Sequence, residues 1–136
     1  MSFGASRFDK MYQIELLRLC SHSSYVVVGG AQKLFLHALA DNPNWMSIIS
    51  YCDLAKFAGD VYYKLGMKKE RITPPQIVWS KGKQKITSML LRQRGYDQIF
   101  KTNYGKGTSN EQLMLENGWL PVYDCGQAVF VYERMM

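Results

Sequence analysis

The alternation of strand-like and helix-like segments along the chain most constrains its fold. One stretch is apolar at helical spacing, at Ala31, Leu34, Phe35, Ala38 and Leu39, and it predicts an amphipathic helix. Before it, the run YVVV at 25–28 predicts a buried strand, and after it WMSIISY at 45–51 predicts another. Strands that alternate with helices are typical of an α/β domain.

The same alternation continues through the rest of the chain. The predicted helices cover 10–20, 31–39, 54–65, 84–94 and 109–116, and the predicted strands cover 25–28, 45–51, 76–80, 122–123 and 128–132. Asp9 is placed to cap the first helix, and Gly66 is placed to end the third. The 136 residues contain neither a repeat nor a dividing linker, so we expect one domain spanning 1–136.

Composition excludes several classes of protein. Hydrophobic residues make up 47% and charged residues 21%, which argues against disordered, collagen-like and repeat chains. No apolar run approaches the roughly 20 residues that cross a bilayer, and the N-terminal residues lack the layout of a secretory signal. The cysteines at 20, 52 and 125 suit neither a disulfide framework nor a zinc site. We therefore expect a cytoplasmic protein with no membrane partner.

The charge balance points to an anionic partner. Seventeen basic and eleven acidic residues give a net charge of +6, which attracts nucleic acid or an anionic cofactor. The third quarter of the chain is basic, and we expect DNA phosphates to contact Lys81, Lys83, Lys85, Arg92, Arg94 and Lys101, with Trp79 or Tyr104 available for stacking. A solvated basic helix face would produce the same pattern.

The junction VVVGGAQK at 26–33 is the first candidate site. A glycine turn that leads into a helix presents backbone N–H groups at the positive end of the helix dipole, which suits a phosphate. The candidate cofactor-binding residues are therefore Gly29, Gly30, Ala31, Gln32 and Lys33. The junction matches neither a P-loop nor a dinucleotide fingerprint. A glycine pair that only lets strand and helix pack closely is the alternative.

The exit of the predicted strand at 45–51 is the second candidate site, because ligands bind outside the carboxyl ends of strands in open α/β sheets. Ser50 and Asp53 are candidates to orient a nucleophile, and Tyr62 is a candidate acid. The structural alternatives are Asp53 as a helix cap and Tyr62 as a core residue. His22 and His37 are isolated and the acidic residues are scattered, so we predict neither a catalytic triad nor a metal site.

Together these motifs resemble the GNAT superfamily of acyltransferases. The resemblance is carried by VVVGGA at 26–31, SYCD at 50–53 and YYKLGM at 62–67. It implies that the glycine turn holds the pyrophosphate of acetyl-CoA or another acyl-CoA, and that Tyr62 protonates the departing CoA thiolate. Val26 stands where the family prefers Gln or Arg, and Met67 stands in place of Phe.

Longer blocks resemble the C-terminal region of phage homing-endonuclease-like proteins and, more distantly, Mom-type DNA-modification proteins. These blocks are MSFGASRFDKMYQIELLRLC, VVGGAQKL, IISYCDLAKFAGDVYYKLGM and ENGWLPVYDCGQAVF. They imply an abbreviated GNAT-like fold, with a mixed central sheet flanked by helices, in the host cytoplasm and without a nuclease domain. Only 25 residues precede the VVVGGA loop at 26–31, so either the fold is abbreviated, with an exposed edge that pairing with a second copy would protect, or a partner chain completes it.

Two classes of function follow from the sequence. The first is an acyl-CoA-dependent N-acyltransferase that modifies an amine on or near nucleic acid, with backbone N–H groups near Ile49 and Ser50 as the oxyanion contact. The alternative is a non-catalytic DNA-binding module related to the C-terminal part of homing endonucleases.

Overall fold

The structure, a computed structural model, describes residues 1–94 and 109–135, with side chains described for 1–92 and 109–135. These residues form a mixed α/β structure whose elements are β1 (Ser2–Ala5), β2 (Ile14–Arg18), α1 (Gly30–Asp41), β3 (Ser47–Asp53), α2 (Asp60–Lys64), β4 (Lys68–Ile72), β5 (Ile77–Lys81), β6 (Gln84–Thr87), α3 (Ser88–Arg94), α4 (Asn110–Glu116), β7 (Leu120–Tyr123) and β8 (Gln127–Glu133). None of the helices within the described ranges is long and apolar enough to cross a membrane.

The chain divides into two compact units. Unit 1 consists of Met1–Thr73 and Gly126–Met136, and unit 2 is Pro74–Cys125. The expectation of one domain over the whole chain remains a prediction, and each unit is described by itself.

Unit 1 is built on a mixed sheet of five strands in the order β1-β2-β3-β8-β4. Strands β2 and β3 run parallel, and the other described neighbours run antiparallel. The edges are β1 and β4, and β4 is exposed along its whole length and mostly charged. Because charged edges discourage pairing, β1 is the edge that better suits the predicted dimer, which remains a prediction.

The two faces of this sheet are covered differently, because successive side chains of a strand point to opposite faces. One face, the helix face, packs α1 and α2 against the larger core, which contains Leu16, Phe35, Leu39, Ile48, Cys52, Leu65, Met67, Ala128 and Phe130. The other face buries Ile49, Val129 and Val131 beneath Tyr12 and Tyr51. Tyr12 belongs to residues 6–13, the connection between β1 and β2, which we call the strap.

Unit 2 is a three-stranded sheet, in the order β6-β5-β7, with α3 and α4. Its core contains Trp79, Leu91, Met114 and Trp119, with Ile77 and Ile86 packed against it. The expectation that Trp79 is available for stacking is wrong, because its indole is buried among these apolar side chains.

Two predictions near the N-terminus are wrong. The predicted helix at 10–20 is part of the strap followed by strand β2, which is paired on both sides by β1 and β3. The predicted strand at 25–28 lies outside the described strands, and its Val26 side chain is 94% exposed. Valines favour a strand only where they pack on a pleated, half-buried surface. None of the described strands pairs with this segment, so that surface is missing here.

Several other predictions are confirmed as to whether the element is a helix or a strand. The predicted helices at 31–39 and 109–116 correspond to α1 and α4, and the predicted strand at 45–51 corresponds to β3. The predicted helix at 54–65 is helical only over α2. The predicted helix at 84–94 begins instead as strand β6, because that segment pairs with β5 in a hairpin.

The two closing strands exist but do not pair with each other. Strand β7 pairs with β5 in unit 2, whereas β8 lies between β3 and β4 in unit 1. Asp124-Cys125-Gly126 therefore connects two sheets and does not form a hairpin turn.

Candidate functional site

The parallel strands β2 and β3 separate towards their carboxyl ends. Their register pairs residues 14 and 15 with residues 48 and 49, and it ends there within the described strands. At the end of this ladder, Ser50 Oγ donates a hydrogen bond of 2.9 Å to the Leu16 carbonyl. The buried Ser50 hydroxyl thus holds the strands together at the last point before they diverge.

A cleft of about 480 Å³ lies where the two strands have separated. The end of β2 and the end of β3 form its walls, and the loop before α2 and the start of α2 close it, so that it is lined by Leu17, Arg18, Leu19, Tyr51, Cys52, Asp53, Phe57, Ala58, Gly59, Asp60, Val61 and Tyr62. Cys52 belongs to the helix-face core and Tyr51 to the opposite cluster. The cleft therefore has side chains of both faces of the sheet in its walls.

The structure brings two of the three predicted catalytic residues to this cleft. The Tyr62 ring is half-buried and stacks on Phe130, with ring centroids 4.7 Å apart and an interplanar angle of 19°. Asp53 Oδ1 accepts a hydrogen bond of 3.0 Å from the Ala55 N–H, and Lys56 Nζ lies 3.9 Å from Asp53 Oδ2. Ser50 does not line the cleft.

The glycine turn forms an open start to α1. Gly29 has a φ of 69°, in the left-handed region that glycine adopts without strain. Among the described residues, no side chain caps this helix, and its first turn holds no acidic residue. The Gly30 N–H donates a hydrogen bond of 3.1 Å to the Val27 carbonyl, but the next N–H groups have no partner within the helix, so this end favours an anion.

Two further cavities adjoin the glycine turn. One, of about 410 Å³, is lined by residues that include Gly29, Gly30, Ala31 and Gln32. The other, of about 640 Å³, is lined by Lys33 together with the segment 19–22 and 25–27. Val61 lines both of them and the cleft as well, so the three spaces have this side chain in common.

Tyr51 and Cys52 are among the lining residues that the sequence prediction did not select as catalytic. Burial raises the pKa of the Cys52 thiol, and Asp53 raises it further. Burial also raises the pKa of Tyr51, and Glu15 and Asp9 add to this effect. Both groups are therefore protonated at neutral pH, and Cys52 is not an activated nucleophile. Their position between Ser50 and Asp53 was the available signal, because neighbouring residues at a strand end line the same opening from opposite faces.

The predicted nucleic-acid contacts belong to unit 2, and only some are free on its surface. Lys81 Nζ donates a hydrogen bond of 2.7 Å to the Asn117 carbonyl at the end of α4, which is a structural role. Arg92 Nε donates to the Ser88 carbonyl one turn earlier, at 3.4 Å. Lys83 and Lys85 are exposed on the β5–β6 hairpin.

Three of the expected contacts lie outside what the structure describes. These are Lys101 and Tyr104, together with the side chain of Arg94, whose backbone ends α3.

Comparisons with known proteins assign no family to the chain. Neither a scan against protein-family models, nor a search of curated proteins, nor a search of solved structures found a match.

Proposed function

We propose that this chain is a GNAT-like, acyl-CoA-dependent N-acyltransferase that acts on an amine on or near nucleic acid. One observation carries the proposal: the cleft between the separating ends of β2 and β3 and the cavity at the glycine turn of α1 share Val61 in their linings. A donor with a phosphate-bearing end and a reactive thioester end requires two such adjoining spaces.

The phosphate end of the donor fits the glycine turn. The N–H groups of Ala31 and Gln32 lie in the first turn of α1, where the helix dipole favours negative charge. Lys64 lines the same cavity and adds a cation. From this turn, the thioester arm would pass Val61 to reach the cleft.

The reaction needs an amine, an oxyanion contact and an acid. The amine nitrogen bonds to the thioester carbonyl carbon, the C–S bond breaks, the nitrogen loses its proton to water, and the sulfur receives a proton from the Tyr62 hydroxyl. In the described strands β3 has no β2 partner after residue 49, so its backbone there is the candidate oxyanion contact. Asp53, which lines the cleft, would orient the amine.

Donor binding is tested by calorimetric titration of the full chain with acetyl-CoA. A Cβ at Gly30 would lie 2.9 Å from Val27 Cγ1, so Gly30→Ala imposes this contact without a charge. Gly30→Glu adds a carboxylate where the phosphate would lie. We expect saturable one-site binding that Gly30→Glu weakens at least about 10-fold more than Gly30→Ala does. Equal effects of the two variants, or no binding by the wild type, would contradict the donor site.

The catalytic role of Tyr62 is tested by thiol release from acetyl-CoA in the presence of amine-bearing oligonucleotides. Tyr62→Phe keeps the ring on Phe130 and removes only the hydroxyl, and we expect the rate to fall by about 10²- to 10⁴-fold. Tyr63→Phe is the matched control. The Tyr63 ring also packs on Phe130, with ring centroids 5.1 Å apart, but Tyr63 does not line the cleft. If both variants retain the wild-type rate, Tyr62 is not the acid.

A non-catalytic DNA-binding module is the second candidate, and the β5–β6 hairpin favours it. In the part of the chain that the structure describes, neither Lys83 nor Lys85 forms an ion pair. If both contact phosphates, the double change to alanine lowers the slope of log affinity against log salt by about 2, whereas the same change at Lys68 and Lys69 does not. Affinity that does not weaken with salt would argue against this function.

A further inference from the structure

An exposed aromatic ring stands beside the cleft, on the face of the sheet away from α1. Phe8, in the strap, is 65% exposed. Its ring meets Tyr51 edge-on, with centroids 5.7 Å apart and an interplanar angle of 87°. The Arg7 guanidinium lies 5.2 Å from the centre of the Phe8 ring. Because Phe8 is exposed and packs against a tyrosine that lines the cleft, its ring is available to stack on a ligand there.

The strap holds this ring in place. Arg7 Nη2 lies 2.6 Å from Glu15 Oε1, and the Arg7 N–H donates a hydrogen bond of 3.0 Å to Glu15 Oε2. The strap is also tied to β4, since Arg71 Nη2 lies 3.0 Å from Asp9 Oδ2. These contacts order the strap before any ligand binds. A ligand that covers Phe8 therefore pays little conformational entropy for ordering the strap.

The Phe8 ring lies on the opposite face of the sheet from the residues proposed to bind the acyl donor. Tyr62 and the glycine turn are associated with the helix face, whereas Tyr51 belongs to the opposite face and also lines the cleft. A donor that enters along the helix face leaves the strap side of the cleft for the acceptor. Tyr51 lines the cleft on that side, and Phe8 packs against Tyr51 just outside the lining.

We infer that Phe8 recognises the acceptor by stacking, and that the acceptor is an unpaired base of single-stranded nucleic acid. The inference rests on the proposed function, since it assigns the acceptor class for the same cleft. Every base offers a flat π-face to an aromatic side chain, and a base must leave the duplex to reach an enzyme cleft. The net charge of +6 favours a base that belongs to a polyanion such as nucleic acid.

The test compares two labelled oligonucleotides of equal length by fluorescence anisotropy with the full chain. One is a single strand that carries bases, and the other is its abasic counterpart, which keeps the phosphates. We expect Phe8→Ala to weaken binding of the first by about 5- to 150-fold and to leave the second unchanged. Phe8→Trp keeps a stacking surface and should bind within a few-fold of the wild type.

Met11→Ala is the matched control, because Met11 lies in the same strap, is 87% exposed and forms no ring contact among the described residues. The inference is overturned if Phe8→Ala behaves like Met11→Ala, if it weakens both oligonucleotides equally, or if the wild type binds neither. Acetyl-CoA titration of the same Phe8→Ala protein separates the two proposals. Donor binding without base-dependent binding retains the proposed function and rejects this inference, whereas absence of donor binding by the wild type rejects the proposed function.

Discussion

Replacing Gly59 with alanine tests how tightly the loop before α2 is packed on the sheet. Gly59 has a φ of 88° and is buried. A Cβ added there would lie 2.7 Å from Phe130 Cζ and 2.8 Å from Phe130 Cε2. The Phe130 ring is fully buried and stacks with Tyr62, so it has little room to move.

Two costs add at this position. The left-handed conformation costs a non-glycine residue about 1–2 kcal/mol, and overpacking a filled core costs about 1–3 kcal/mol. We therefore expect Gly59→Ala to lower the free energy of unfolding by about 2–5 kcal/mol. Gly66→Ala is the matched control: its φ is 79°, but a Cβ there meets no atom of the described chain within 4 Å, so only the conformational cost applies.

The assay is urea unfolding followed by circular dichroism, with hydrogen exchange of β3 and β8 to assign the transition to unit 1. With an m-value of roughly 1–3 kcal/mol/M, we expect the Gly59→Ala midpoint to fall by about 1 M or more, clearly further than that of Gly66→Ala. Equal midpoints for the two variants would refute the packing argument, because the backbone cost is common to both.

Three further changes test other contacts of unit 1. Arg7→Met leaves the buried Glu15 carboxylate with the backbone N–H of residue 7 and should cost about 2–3 kcal/mol at neutral pH. Burial raises the pKa of Glu15, but the bonds from Arg7 outweigh it and hold this pKa below its ordinary value, so the stabilisation is present above the unfolded-state pKa and is lost as pH falls through the folded-state pKa. Thermal unfolding should show the gap between wild type and variant closing in acid, and a gap that persists unchanged would contradict this. The hydrogen bond to Glu70, together with burial, raises the pKa of Tyr12 to about 12, so ultraviolet titration should show a tyrosine ionising near that pH that Tyr12→Phe lacks. Ser50→Ala removes the hydroxyl that bridges β2 and β3 and should cost about 1–2 kcal/mol in urea unfolding; an unchanged midpoint would show that the bridge contributes nothing.

Sequence patterns correctly predicted the elements whose buried residues recur at one regular spacing. Helix α1 buries Phe35 and Leu39 of its apolar stripe in one core, so spacing of three and four residues was sufficient to predict it. Strand β2 was missed because Glu15, a carboxylate, is buried there beside Arg7, and no periodicity anticipates a buried ion pair formed across the chain. Strand β4 was missed because all its residues are exposed and charges dominate it.

The candidate site shows the same division. The sequence alone selected the glycine turn, Asp53 and Tyr62 as candidates, because a glycine turn before a helix and polar groups after a strand are local features. Only the tertiary structure decided that β2 and β3 part after two paired positions, that Val61 lines the cleft and both neighbouring cavities, and that Phe8 stands exposed beside Tyr51. These are relations between residues far apart in the chain, and strand pairing and side-chain packing determine them together.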